Sequence, residues 1–482
     1  MIFNSIEYLL FFPLVFIIYW LIKEGNIKIQ NIILLAASYV FYGWWDWRFL
    51  FLLLFSTGLD FWVGLKIYDA KTNKAKQIWM WFSVIINLGF LGYFKYFNFF
   101  IESWITAWHS IGYDMNITTT KIILPVGISF YTFHGLSYVI DIYNNRIEPT
   151  RNWNNYSLFV SFFPLLVAGP IERATHLLPQ IEAKRSFSLP NAISGLRQIL
   201  WGLFKKVAVA DQCSIQADEI FNNFENYNAT TLALGAIIFS FQIYADFSGY
   251  SDIALGSARL LGFELFKNFN YPYFSKSIPE FWHKWHISLS SWLNDYVFTP
   301  LALEFRNWSK FGIFLAVFLT FVISGFWHGA GWTFIIWGAL HGLYYIPNIF
   351  WGSKKISSIS SQKIKPLNQK EPLEIHKILS TFLLVSFTLI FFRSPNLNDA
   401  FQYCINTLNP SLWGKLQVSL LIPSITIFVM LLFEWNARKS TTGIEVVLQK
   451  LPLPLRWAVY YGLTFAVITF SDKSGGFIYF QF

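Results

Sequence analysis

The chain has 482 residues, of which 55% are hydrophobic, 21% aromatic and only 13% charged. Soluble globular domains carry about a quarter of their residues as Asp, Glu, Lys or Arg, so this composition excludes an ordinary soluble protein and predicts an integral membrane protein. The formal net charge is +9, but Lys and Arg collect in short loops between apolar segments. That pattern indicates membrane topology and not a nucleic-acid-binding surface.

Apolar runs of about 17 to 25 residues predict membrane-spanning helices. The first such runs cover residues 6–22, 31–45 and 50–67, and the loops after the first and third contain several lysines. Because positively charged loops stay in the cytoplasm, the N-terminus is expected on the outside. Residues 1–23 lack the basic start and small-residue cleavage site of a signal peptide, so the first run is expected to be retained as a span.

Two later segments depart from simple apolar helices. In residues 157–173 an apolar run is interrupted by Pro164, Gly169 and Pro170. This predicts a broken or re-entrant helix, because backbone breaks at membrane depth occur where protein or a cavity satisfies the freed groups; an ordinary Pro-kinked span is the alternative. A span is predicted over 232–246, and the Gly-, Ser- and aromatic-rich sequence after it favours an interfacial or re-entrant segment that lines a cavity.

The last third of the chain returns to membrane helices. They are predicted over 311–326 and 332–350, followed by a Lys- and Ser-rich cytoplasmic linker at 353–373. Residues 374–482 are expected to add three further spans. The predicted fold is an all-α polytopic transmembrane bundle of about 11–13 segments, divided into a membrane-embedded core over 1–352, the linker and the C-terminal helices.

Residues 281–342 hold four of the eight histidines, His283, His286, His328 and His341. Ionisable side chains at membrane depth are costly and lie in a protein interior or a water-filled cavity, so a functional site is the first hypothesis. Hydrogen-bonded packing histidines are the alternative. A metal site is a third possibility, because i, i+3 spacing puts His283 and His286 on one face of a helix. The absence of a carboxylate-rich second set in the sequence disfavours metal.

Several blocks follow one another along the chain: LPVGISFYTFHGLSYVIDIY from residue 124, LVAGPIER from 166, QIYADFSGYSDIALG from 242, NFNYPYFSKSIPEFWHKWHISLSSWLNDY from 268, SGFWHGAGWTFIIWGALHG from 324 and the terminal FIYFQF. In these blocks the chain resembles the membrane-bound O-acyltransferase family, and most closely its bacterial alginate O-acetyltransferase branch. The resemblance extends over nearly the whole chain.

The resemblance implies a helical bundle around a funnel or tunnel in the bacterial cytoplasmic (inner) membrane. It implies O-acetylation of an exported polysaccharide such as alginate, with acetyl-CoA as the acyl donor and no bound cofactor. The implied partners are membrane lipid and a periplasmic or extracellular acetyltransferase that completes transfer to the sugar; nucleic acid is not expected. Two alternatives stay open: D-alanyl transfer to teichoic acid from an acyl carrier protein, and a polysaccharide or ion transporter with a histidine proton relay.

The resemblance also places the catalytic residues. The family's catalytic histidine corresponds to His328, and a second polar position, His in this branch and Asn in many relatives, corresponds to His286. A neutral imidazole has an ordinary pKa of about 6.5, suits the base role, and contributes roughly 10²- to 10⁴-fold to a rate. Trp285 and Trp327 are predicted to exclude water from the site. Three further side chains are predicted to line the cavity or to orient His286, or else to hydrogen-bond broken backbone: Asp246, Tyr250 and Asp252.

The remaining histidine of the stretch, His341, follows His328 by thirteen residues. On one continuous helix that spacing is more than three turns, or about 20 Å, so a structural role is expected for His341. The chain also departs from the branch pattern at five positions near the site, and these departures concern the local loop and any donor or partner contact made there: His283, Lys284, Asn294, Ala302 and Leu303.

Overall fold

The computed structural model describes residues 1–23, 25–115, 122–167, 169–352, 374–440, 444–471 and 476–478. Within these ranges the secondary structure is helical, without a β-strand, which confirms the predicted all-α class. The predicted basic linker at 353–373 lies outside the described residues. Among the described residues, six helical segments are long and apolar enough to cross a membrane: Ile27–Asp69, Asn73–Ser110, Ala229–Leu260, Ile287–His328, Ile375–Arg393 and Leu453–Phe470.

The chain divides into two compact units, and the first comprises residues 1–193 and 257–266. Apolar residues on successive turns form helices of membrane length, and Ser5, Asn26 and Thr72 cap three of them at the N-terminus by accepting an N–H bond of the first turn. The helices of this unit are α1 Ile6–Leu21, α2 Ile27–Asp46, α3 Leu50–Asp69, α4 Asn73–Leu91, α5 Phe97–Ser110, α6 Ile128–Tyr143, α7 Trp153–Ser161, α8 Phe163–Leu166 and α9 Ala174–Glu182.

Polar side chains inside the helices of the first unit are hydrogen-bonded to one another. Asp60 of α3 is buried, and its carboxylate accepts bonds from the Ser83 hydroxyl at 2.5 Å and from the Asn87 amide at 2.8 Å, both on α4. A Cβ atom at Gly135 of α6 would lie 1.9 Å from the same carboxylate, so α6 also packs closely against it. The network satisfies the polar groups that apolar surroundings would otherwise leave unpaired.

The helix break predicted near Pro164 is confirmed. Helix α7 ends at Ser161, Phe162 leaves helical geometry with ψ 113°, and α8 starts one residue later. The N–H of Phe163, freed by the break, donates to the Ser38 hydroxyl at 3.0 Å. This contact is the kind of protein partner that a backbone break at membrane depth requires.

The second unit comprises residues 194–256 and 267–482. It contains most of α10 Leu189–Leu203 and α12 Ala229–Leu260, together with α11 Asp211–Asn222, α13 Ile278–Lys284, α14 Ile287–Leu293, α15 Thr299–Glu304, α16 Ser309–His328, α17 Trp332–Leu343, α18 Ile346–Phe350, α19 Ile375–Arg393, α20 Leu397–Leu408, α21 Leu421–Ala437, α22 Ile444–Gln449 and α23 Leu453–Phe470.

Helix α12 corrects one prediction. Residues after 246 were predicted to form an interfacial or re-entrant segment, but α12 continues without a break to Leu260. Its small residues serve helix packing: a Cβ at Gly249 would lie 2.7 Å from the Gly202 carbonyl oxygen, and one at Gly256 would lie 2.6 Å from the Gly195 carbonyl oxygen. Small residues that let backbones approach this closely are typical of helix contacts in membranes, which explains why their composition resembled a loop.

Candidate active site

A tight helical hairpin presents the two histidines of the SGFWHGAGWTFIIWGALHG block, His328 and His341. Helix α16 ends at His328, the chain turns through extended residues at Gly329 and Gly331, and α17 runs back beside α16. A Cβ at Gly325 would lie 2.2 Å from the Phe334 carbonyl oxygen, and one at Gly338 would lie 2.2 Å from the Phe321 carbonyl oxygen. The two helices therefore approach each other backbone to backbone at these glycines, as small residues allow.

His328 is 4% exposed and its imidazole lies among aromatic rings. The ring centroids of Trp327, Trp337 and Phe392 lie 4.8, 5.1 and 5.4 Å from that of His328, all in edge-to-face arrangements. Edge-to-face packing of this kind is favourable for aromatic rings and fixes the orientation of the imidazole. The base candidate is thus held in a largely apolar enclosure.

His341 lies on α17 and not on the same helix as His328, because α16 ends at His328. The separation of about 20 Å expected for one continuous helix therefore does not apply. The indole of Trp337 has its centroid 5.1 Å from His328 and 5.0 Å from His341. The hairpin turn brings both imidazoles to one tryptophan.

A cavity opens beside these rings. Its volume, measured as the space open to the centre of a water molecule, is about 10 Å³, which is room for about one water. The residues around it are Ile243, Phe281, Trp282, Trp285, His328, Trp337, His341, Val385, Leu389 and Phe392. His328 and His341 are the titratable members of this lining, so an acid–base group faces a small apolar space.

His286 is fully buried and has an unusual backbone. It precedes α14 with φ 43° and ψ 54°, in the left-handed region, which non-glycine residues seldom adopt, although Asn, Asp and His adopt it more often than the others. His286 is 1% exposed, and within the described part of the chain neither ring nitrogen has a hydrogen-bond partner. A buried polar group left without a described partner is a candidate for a functional position.

His286 packs against Trp327, whose indole also packs against His328. Its ring centroid lies 6.2 Å from that of Trp327 and 4.6 Å from that of Phe247, and Trp327 in turn packs on His328. His286 is not among the residues that line the 10 Å³ cavity. The structure therefore places His286 and His328 against one indole, without a direct bond between them among the described contacts.

The two tryptophans predicted to exclude water occupy different positions. Trp285 lines the cavity and packs against Phe281 and Tyr273 at 5.4 and 6.0 Å between ring centroids. Trp327 lies between the two histidine rings and is 6% exposed. Both are buried, as a water-excluding role requires.

The carboxylates of the YADFSGYSD block belong to ion pairs. Asp246 lies 2.7 Å from the Lys206 ammonium and accepts the Ile478 N–H at 2.7 Å. Asp252 lies 2.6 Å from the Lys205 ammonium, and Tyr250 packs on Phe477. None of the three predicted residues of this block lines the cavity beside His328.

The two lysines of these ion pairs lie in a π-helical turn, Phe204–Ala210, and such turns are frequent at functional sites. Lys206 also lies 2.9 Å from Asp211. One buried ammonium between two carboxylates compensates charges that apolar surroundings would penalise. These contacts connect the π-helical turn to α12, and Asp246 also connects α12 to the backbone of Ile478.

The shared helix face predicted for His283 and His286 is wrong. Helix α13 ends at Lys284 and Trp285 is extended, so His286 does not continue that helix. The described residues contain no group of three or more His, Cys, Asp or Glu side chains arranged to hold a metal. Lys284, the last residue of α13, forms an ion pair with Glu280 of the same helix at 2.6 Å.

Sequence reasoning missed the aromatic lining and the contacts of His341. Trp282 donates its indole N–H to His341 Nδ1 at 3.3 Å, and His341 Nε2 lies 3.0 Å from the Thr388 hydroxyl oxygen. Trp337 precedes His341 by four residues, which places both on one face of α17. This spacing was available in the sequence; the contribution of Phe392 from α19 was not, because only the fold brings it to the site.

The fold and the site define a multi-pass helical membrane protein with an imidazole facing a buried cavity, as an enzyme of acyl transfer would need. The model of the membrane-bound O-acyltransferase family matches residues 150–353. The chain is 39% identical to the probable alginate O-acetylase of Pseudomonas syringae pv. tomato over 83% of this chain and 74% of that protein. The chain belongs to the membrane-bound O-acyltransferase family, and it is an O-acyltransferase.

Two further relatives carry other names. The peptidoglycan O-acetyltransferase of Helicobacter pylori is 33% identical over 81% of this chain and 76% of that protein. The teichoic acid D-alanyltransferase of Streptococcus thermophilus is 27% identical over 58% of this chain and 71% of that protein. The identity and coverage are thus higher for the O-acetylating relatives than for the D-alanylating one.

Proposed function

We propose that this protein is a membrane-bound O-acetyltransferase of a bacterial inner membrane, with its N-terminus outside. It takes an acetyl group from a cytoplasmic thioester, acetyl-CoA, and passes it across the membrane for O-acetylation of an exported polysaccharide such as alginate. The names of the more similar relatives support acetyl transfer to a polymer. The observation that carries the chemistry is the imidazole of His328 facing a small apolar cavity.

In the proposed reaction His328 acts as the general base. Its neutral imidazole takes the proton from an acceptor hydroxyl while the hydroxyl oxygen attacks the thioester carbonyl carbon. The new C–O bond forms, the C–S bond breaks, and the leaving thiolate receives the proton from the imidazolium. A base placed in this way contributes roughly 10²- to 10⁴-fold to the rate, and the apolar walls strengthen its electrostatic interaction with the developing charge.

The roles proposed for the neighbouring residues follow from their positions. His286, whose ring nitrogens bind no described residue, is available to orient the acceptor or to donate to the developing oxyanion. Trp285 and Trp327 restrict water, which would compete with the acceptor as a nucleophile. A periplasmic or extracellular acetyltransferase is the proposed partner that completes transfer to the sugar.

Reconstitution in liposomes tests this function. Purified protein is given acetyl-CoA labelled in the acetyl group on one side and a soluble polysaccharide acceptor with the candidate partner on the other. Label is expected in the acceptor with the wild type, roughly 10²- to 10⁴-fold less with His328→Ala, and undiminished label with His109→Ala, whose imidazole is 75% exposed. Transfer at the wild-type rate in His328→Ala would remove the base assignment.

The same liposomes separate the alternatives. D-alanyl transfer from a loaded acyl carrier protein, with no use of acetyl-CoA, would favour the activity named for the D-alanylating relative. Polysaccharide or ion flux without acyl transfer would favour a transporter.

A further inference from the structure

A second cavity lies next to the one that His328 faces. It has a volume of about 30 Å³ by the same measure, and six of its lining side chains carry polar atoms: Trp282, Ser290, Asn294, Thr320, Ser324 and Tyr345. Trp282 is the one described residue that lines both cavities. Its indole also packs against Phe321 of the second cavity at 5.1 Å and against Trp337 of the first at 5.8 Å between ring centroids. The indole of Trp282 is therefore a wall shared by the two cavities.

Hydrogen bonds hold this wall in a single orientation. The indole N–H can only donate, so His341 Nδ1, at 3.3 Å, must accept. His341 then carries its proton on Nε2 and donates it to the Thr388 hydroxyl oxygen at 3.0 Å, and that hydroxyl donates to the Val385 carbonyl oxygen at 2.8 Å. Every donor in this chain of bonds has an acceptor, and Trp282 is fixed through it to α17 and α19.

We propose that Trp282 sets the length of the acyl group that this enzyme transfers, by closing the cavity beside His328 to chains longer than acetyl. The inference rests on the proposed function and adds its specificity. The free space beside His328 is small, and its other walls are bulky side chains packed on one another. A longer acyl chain would need the space on the far side of the indole, and Trp282 blocks the way. His341 is the positioning residue that keeps the wall closed.

The test compares acetyl-CoA, propionyl-CoA and butyryl-CoA as donors, with kcat/KM measured for each in the liposome assay. A pocket contact that excludes one methylene discriminates by roughly 10- to 200-fold, so the wild type is expected to prefer acetyl over butyryl by at least about tenfold. Trp282→Ala removes the indole and joins the two cavities. It is expected to raise the butyryl-to-acetyl ratio by at least about tenfold.

Three further variants serve as controls for Trp282→Ala or as substitutes for it. Leu293→Ala enlarges the second cavity, which Leu293 lines, without opening the wall, and should leave the ratio at the wild-type value. Trp282→Phe keeps an aromatic wall but loses the N–H bond to His341, and should give an intermediate ratio, as should His341→Ala. These variants decide the matter if Trp282→Ala does not fold.

The outcomes separate this inference from the function on which it rests. A wild type that transfers acetyl and butyryl equally well, or a folded Trp282 variant with an unchanged ratio, would overturn the role of Trp282 while leaving acetyl transfer intact. A wild type that transfers no acyl group from any of the three thioesters would overturn the proposed function, and this inference with it.

Discussion

A buried polar side chain in the first unit and one in the second differ in whether they are hydrogen-bonded. In the first unit Asp60 accepts hydrogen bonds from Ser83 and Asn87, so the cost of burying a carboxylate among membrane helices is offset locally. In the second unit His286 is equally buried, adopts left-handed backbone, and has no described hydrogen-bond partner for its ring. A hydrogen-bonded network of this kind stabilises the fold, whereas a buried imidazole without a described partner is the arrangement that we expect of a group that binds a substrate.

The largest expected effect is on the rate at His328. His328→Ala should lower acyl transfer by roughly 10²- to 10⁴-fold, because the base is lost, while the thermal unfolding temperature in detergent changes little. The measurement is acyl-transfer rate against unfolding temperature for the same preparation. An inactive protein that also unfolds early would mean that His328 is structural, like Asp60.

Asp60 should show the opposite behaviour. Asp60→Ala removes the acceptor of the Ser83 hydroxyl and one acceptor of the Asn87 amide, which also donates to the Ser83 carbonyl oxygen. A lost acceptor costs about 1–3 kcal/mol, so the unfolding free energy should fall. Asp60→Asn retains an acceptor oxygen and is the matched control, with a smaller loss expected. Chemical denaturation in mixed micelles measures both. Equal stability of Asp60→Ala and wild type would show that the network contributes nothing.

Substitution of His286 is expected to lower the acyl-transfer rate less than substitution of His328 does. Asn adopts left-handed backbone more readily than most residues and keeps a polar side chain, so His286→Asn should retain measurable transfer, with a loss below the roughly 10²-fold expected at His328. His286→Val is the contrasting variant, because a β-branched residue at positive φ is strained, and it should lose stability as well. A well-folded but completely inactive His286→Asn enzyme would mean that the imidazole itself is needed.

The smallest expected effect is on the pH dependence of folding stability, and it comes from a histidine outside the candidate membrane spans. His176 Nδ1 lies 2.7 Å from the buried Glu172 carboxylate, and this bond raises the pKa of His176 above its ordinary value of 6.5. The protonated form is therefore favoured in the folded state, so its stabilisation is complete below pH 6.5 and is lost as the pH rises through the folded-state pKa.

Histidine-selective NMR titration measures this pKa. The wild-type value should exceed that of Glu172→Gln, in which the partner charge is absent. Equal values for the two proteins would show that Glu172 does not act on His176.

The sequence predicted the elements better than their contacts. Apolar run lengths predicted the all-α class, and Pro164 correctly marked the break between α7 and α8. The segment after residue 246 was mispredicted because glycines such as Gly249 and Gly256 occur both where a helix ends and where a helix packs closely against another. Single-sequence patterns do not distinguish these two uses of glycine, since the difference lies in the neighbouring backbone.

For the candidate site, too, the sequence predicted the residues better than their contacts. The family resemblance selected His328 and His286, whose roles stay predictions until the variants are measured. Asp246 and Asp252 were predicted near His286, but their cationic partners Lys205 and Lys206 lie about 40 residues earlier, and pairing over such separations depends on the tertiary fold. The domain division over residues 1–352 and 374–482 also stays a prediction.

The hydrogen-bond chain that ends at Val385 limits the ability of His341 to take part in proton transfer. His341 Nδ1 accepts a hydrogen bond from the Trp282 indole, and His341 Nε2 donates one to the Thr388 hydroxyl. His341 can therefore take up a proton only if it gives up one of these bonds. Both ring nitrogens of His341 are therefore engaged in hydrogen bonds, which disfavours His341 as a proton carrier in the proposed reaction.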